Sequence, residues 1–248
     1  MDEYSKIEKR LGDISKIQDD KIVILSLLTM NSIELLRSVD ILIENNKGSM
    51  VAPLLRQVYE ISVIQMGLQL SEISVNDFIT FEAKSEKTRR NSFLTEVSKK
   101  IHSNSIKDVG RMKADIFKGL MMQIHSALST HTHANLDRLV YFTGKRFNDD
   151  NSKIFNIDIN FMKTMVSALF NTVNNEIFGL ELAAKDINYN EINDELTKIV
   201  SKQVLPSGEL VRLMSISAVS SLFKNRAIEM KEILTKENIE KVKKFVNE

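Results

Sequence analysis

The chain has no cysteine and no tryptophan, and only two prolines and eight glycines among 248 residues. Without cysteine there is no disulfide, no thiolate metal ligand and no cysteine nucleophile, a composition compatible with the cytosol. So few breakers, set among many Leu, Ile, Lys, Glu and Met residues, predict long helices. A charge excess is lacking too. The 34 basic residues against 33 acidic ones leave a net charge of +1. That gives no global drive toward nucleic acid or acidic partners, although a neutral total still allows a local basic face. Long apolar runs are also missing. The most apolar stretch, Ile22 to Leu36, is interrupted by Ser26, Asn31, Ser32 and Glu34 and followed by Arg37 and Asp40. A membrane span needs about 20 mostly apolar residues, so this stretch reads as a core helix. The charged start, Met1-Asp2-Glu3-Tyr4-Ser5-Lys6, lacks the apolar centre of a signal peptide. The expectation is a cytoplasmic protein with no membrane segment.

What is present points to an all-α, multi-helix bundle. The hydrophobic fraction of 43% is enough to bury a sizeable core. Ile7, Leu11, Ile14 and Ile17 recur at helical spacing and predict a first helix over Ser5–Gln18. A second is predicted from about Asp20 to Asn45, stopped by Asn45-Asn46-Lys47-Gly48. Ser49 is a candidate cap for a third helix ending near Leu70, with Pro53 in its first turn, where a missing N–H costs little. Ser74-Val75-Asn76-Asp77 predicts the next cap, ahead of a polar helix to about His102. Its charge-rich stretch, Lys84 to Arg90, reads as a solvated face. A fifth helix is expected from Lys107 to about Leu128, with Ile116, Leu120 and Ile124 on one stripe, and another from about Ile159 to Lys185. Between them, Ser129 to Asn160 is the least regular part. Pro206 divides two C-terminal pieces, Glu191–Val204 and Ser207–Leu234. The organisation expected is a bundle core over 1–135 and an irregular segment with C-terminal helices over 136–248, within the same domain. The methionines at 112, 121, 122, 162 and 165 read as core filler.

Three constellations could carry chemistry. Arg56 and Glu60, four apart on an apolar helix, share one face. They read either as an ion pair that fixes packing or as a polar pocket in which Arg56 binds an anion and Glu60 orients it. Ala52 and Gly67 flank them, and small residues there would let another helix approach closely. The second constellation is histidine. His125, His131 and His133 fall within nine residues, and His102 is the fourth. Their spacing matches no ligand pattern, so no metal site is expected. They read either as capping groups for a helix end or as a source of a proton-transfer imidazole in a cleft. Third, Arg138, Lys145 and Arg146 interleave with Tyr141, Phe142 and Phe147. This is either an amphipathic segment with inward aromatics or a strip that holds single-stranded nucleic acid. There is no P-loop, no G-x-G-x-x-G after a strand and no G-x-S-x-G elbow.

Leu54-Leu55-Arg56-x-x-x-Glu60 on an early helix, with Leu128-Ser129-x-x-x-His133-Ala134 after a later one, resembles a bacterial helical family of unknown function that is itself distantly similar to the HEPN superfamily. The resemblance covers roughly Asp20 to Asn135. It implies a HEPN-like core with a C-terminal helical extension. It also implies a metal-independent ribonuclease of phage-defence or toxin–antitoxin systems, needing no cofactor and acting as a homodimer on RNA or beside an antitoxin or defence protein. HEPN nucleases carry an Arg, then four to six residues, then a His. Here Leu128, Ala127 and Ser126 stand five to seven positions before His133, where that Arg would be. The resemblance therefore implies catalytic Arg56, Glu60 and His133 only if Arg56 supplies the guanidinium from another helix, with Arg138, Lys145 and Arg146 on the nucleic acid. The alternative is a non-catalytic helical interaction or regulatory module.

Overall fold

A computed structural model describes residues 11–14, 19–45, 50–83, 94–103, 110–132 and 162–179, together with Lys9, Lys16, Lys47 and Leu182. Among the described residues there are helices and no strand, so the all-α expectation holds. A helical turn at 11–14 buries Leu11 and Ile14, as their spacing predicts, while Ile7 and Ile17 lie outside the described residues.

Helix α1 spans Asp20–Glu44. It starts where Asp19, in extended backbone, accepts a hydrogen bond from the Ile22 amide at 3.1 Å. That satisfies one of the donors a helix N-terminus leaves open. It stops at Asn45, whose side chain donates to the Ile41 carbonyl at 2.8 Å. Ile22, Leu25, Thr29, Ile33, Leu36 and Val39 form its buried stripe. Among the described residues α1 is the one helix long and apolar enough to cross a membrane. Its contacts are those of a core helix: it packs along α2, and Asp40 meets Lys163.

Helix α2, Val51–Gln69, is the centre of the described fold. From Val58 to Leu70 every residue is buried, the pattern of a helix surrounded on all sides. Its N-cap is Met50, with no side-chain hydrogen bond; Ser49 lies outside the described residues. The other end closes in a Schellman arrangement. The Glu72 amide donates to the Gly67 carbonyl at 2.9 Å and the Ser71 amide to the Leu68 carbonyl at 3.1 Å. Ser71 takes the left-handed position, with φ of 55°.

Helix α3, Val75–Ala83, opens with the cap foreseen. The Ser74 amide and hydroxyl both donate to Asp77 Oδ2, at 3.0 and 2.7 Å, and the Asp77 amide donates back to the Ser74 hydroxyl at 3.0 Å. These bonds, backbone first, hold the Asp77 carboxyl below its usual range. Helix α4 covers 94–103 and buries Leu94, Val97 and Ile101. The stretch Lys84 to Arg90 lies outside the described residues.

Helix α5, Arg111–Thr132, follows Gly110, whose φ of +86° is a glycine conformation. It starts at Arg111, four residues after the expected Lys107, and ends at Thr132, four residues past the expected Leu128. Ser129 to Thr132, expected to begin the irregular segment, are therefore helical. The local sequence has no glycine or proline there to stop the ladder. Ala114, Met121, Ile124 and Leu128 are buried; the side chains of Ile116 and Leu120 lie outside the described set. Met121, Met162 and Met165 do fill core, but Met112 and Met122 are exposed. Both turn away from that stripe, Met112 on the opposite face and Met122 about 100° round from Met121, and an exposed methionine is ordinary on a helix surface.

Helix α6 covers 162–171 and widens into a π-helical segment, Thr172–Phe178. The helix was expected; the π segment was not. The pieces around Pro206 lie outside the described residues.

Candidate functional site

The site begins on the first half of α2. A carboxylate and a guanidinium four residues apart meet on one helix face. Arg56 Nε donates to Glu60 Oε1 at 2.9 Å. Their side chains are 14% and 9% exposed, so the pair is largely withdrawn from water. Removing one partner would strand a charge in a poorly solvated place.

Between them on the same helix stands Tyr59. Its hydroxyl donates to the Met121 carbonyl of α5 at 3.1 Å, and its ring lies 6.0 Å from the His125 ring, tilted by 50°. Burial, and next the charge of Glu60, raise the Tyr59 phenol well above its ordinary range. It is thus held as a neutral donor. The structure pairs Arg56 with Glu60 and sets Tyr59, beside them on α2, against α5 next to the exposed His125. Tyr59 was legible only as a residue inside the Arg56–Glu60 motif. The choice of His125 over the other histidines had no sequence signal, because it depends on how α5 lies on α2.

The other candidates are placed as follows. His131 is in the last turn of α5, and its side chain is outside the described set. His133, Arg138, Lys145 and Arg146 lie outside the described residues. His102 is elsewhere: its Nε2 lies 2.8 Å from Asp115 Oδ1, joining α4 to α5. Among the described residues no group of three or more His, Asp or Glu is arranged to hold a metal ion.

Gly67 meets the expectation of a close approach. A Cβ built there would lie 2.7 Å from Val97 Cγ1 and 3.3 Å from Ile73. Only hydrogen fits between α2 and α4 at that point. Ala52 is buried as well.

The chain matches no family model, no curated protein and no solved structure.

Proposed function

We propose that this chain is a HEPN-like helical protein that cleaves RNA without a metal, with Arg56, Glu60 and His133 as its catalytic residues. One observation carries the reading. Tyr59, in the turn of α2 that bears Arg56 and Glu60, rests on α5, and the last residue of α5 is Thr132, the neighbour of His133 in the chain. The helix on which Tyr59 rests, in the turn that bears the ion pair, is thus the one that leads to the motif histidine. In the reaction the RNA 2′-hydroxyl attacks the adjacent phosphorus. His133 takes the hydroxyl proton, the bond to the 5′ oxygen breaks, and the proton passes to that leaving oxygen. The products are a 2′,3′-cyclic phosphate and a 5′-hydroxyl. Arg56, oriented by Glu60, stabilises the charge that develops on the phosphorane. Arg138, Lys145 and Arg146 hold the RNA backbone. The setting is a cytoplasmic homodimer in phage defence or a toxin–antitoxin pair.

A second reading, a non-catalytic helical interaction module, is favoured by the same pair's burial, since a largely covered Arg–Glu pair also serves to fix helix packing. The deciding experiment incubates purified protein with structured and unstructured RNA in chelator-treated buffer. Cleavage to cyclic-phosphate ends is expected, with losses of about 10²-fold or more in His133→Ala and Arg56→Ala, the scale of a lost acid–base or charge-stabilising group. No product from either protein selects the interaction module, and equal product from wild type and His133→Ala overturns the catalytic role of His133.

A further inference from the structure

The α1–α2–α6 interface is polar at its centre. Thr29 of α1, Gln65 of α2 and Asn174 of the π segment are fully buried and bonded to one another. Gln65 Nε2 donates to Thr29 Oγ1 and to Asn174 Oδ1, both at 2.9 Å, and Asn174 Nδ2 returns a bond to Gln65 Oε1 at 3.3 Å. The Thr29 hydroxyl lies against Asn174 Oδ1 and donates to the Leu25 carbonyl of its own helix at 2.8 Å. Two more contacts reach the backbone of α6. Asn174 Nδ2 donates to the Phe170 carbonyl at 2.9 Å, and Gln69 Nε2, one turn beyond Gln65, donates to the Val173 carbonyl at 3.3 Å.

Those two carbonyls lie just before and inside Thr172–Phe178. A π turn spaces its backbone bonds five residues apart and inserts a residue relative to an α-helix, so side chains beyond it are turned by about 100°. Without that turn, Phe178 could not keep the face it occupies relative to Phe170. The wider turn also strains the backbone ladder, and here side-chain amides from two helices bond to carbonyls along it.

We infer that Thr29, Gln65, Gln69 and Asn174 form a register lock that fixes α6 against α1 and α2 and holds Thr172–Phe178 in π form. The lock acts by exclusion. Any axial slip of α6 breaks both Gln65–Asn174 bonds and leaves Gln65 Oε1 and Asn174 Oδ1 buried without those donors, a penalty that apolar packing alone does not impose. A buried polar residue that sets register at some cost in stability has the same logic in coiled coils.

The test is a double-mutant cycle on the full chain, Gln65→Leu, Asn174→Leu and both, read by thermal unfolding and by hydrogen exchange across 172–178. Each single substitution strands a buried amide and is expected to lower Tm and to speed exchange in this segment at least tenfold. The double substitution removes both amides, so Tm is expected to recover to the wild-type value or above it. Its exchange pattern and crystal structure are expected to show 172–178 as regular α-helix or in mixed registers. Two results overturn the lock: additive losses of Tm, including a double variant that does not fold, or a double variant whose π turn is intact.

Discussion

Tyr59 shows how one side chain is set by its surroundings. The phenol's ordinary pKa is 10.0, and burial with the neighbouring Glu60 charge raises it. Folding therefore favours the protonated form. The resulting stability is fully present below the unfolded pKa and is lost as pH rises above it toward the folded value. Tyr59→Phe isolates this contribution, because the other tyrosines act equally in both proteins. At neutral pH the substitution is expected to cost about 1 kcal/mol, for the bond to the Met121 carbonyl. At about pH 11 the two proteins should converge in urea unfolding, since only the wild type is then penalised. A difference that stays constant with pH would reject this account. Ser71 is the opposite case, a residue against its own preference. Its left-handed φ of 55° costs a non-glycine residue about 1–2 kcal/mol. Glycine relieves that but adds about 0.4–1 kcal/mol of unfolded-chain entropy. Ser71→Gly is expected to raise Tm by about 2 °C, measured by calorimetry.

At the scale of elements, caps were the most legible feature and close approaches the least. Ser74 and Asp77 stand three apart before an apolar residue, and both bonds of the box form from neighbours in the chain. Nothing comparable foretold that α5 would continue to Thr132. A helix end without a glycine or proline is decided by what the last turn packs on. Gly67 lies between these cases, since its small size hinted at a close neighbour and the fold supplied Val97. Gly67→Ala gains about 1 kcal/mol in helix propensity. The 2.7 Å approach to the stiff, buried Val97 outweighs it, at about 1–3 kcal/mol of overpacking. Gly67→Ala is therefore expected to destabilise the wild type, as read by a lower urea midpoint. In a Val97→Ala background the same change is expected to stabilise; destabilisation in both would place the strain elsewhere.

At the scale of the molecule, α1 poses the choice between a core helix and a span. Its composition permits both. In the fold, Leu25 is fully buried against the bundle, whereas Leu27 is 52% exposed. A bilayer would surround both residues and punish a charge at either. Water distinguishes them. Leu25→Ala is expected to cost about 3 kcal/mol, while Leu27→Asp stays within about 0.5 kcal/mol and leaves the protein in the aqueous fraction. A severe defect in Leu27→Asp would restore the membrane reading.

The sequence by itself determined the helical class, the limits of α1, α2 and the start of α3, and the pairing of Arg56 with Glu60. Each of these depends on residues within one or two turns of each other, where spacing translates directly into geometry. Tertiary structure alone decided that α2 is enclosed on every side from Val58 onward, that Tyr59 beside the ion pair meets α5 next to His125, and that α6 widens into a π turn. Those outcomes depend on partners 62 to 109 residues away in the chain, such as Met121 for Tyr59 and Asn174 for Gln65. No local pattern encodes such a meeting, because the energy that selects it is released only when the helices pack.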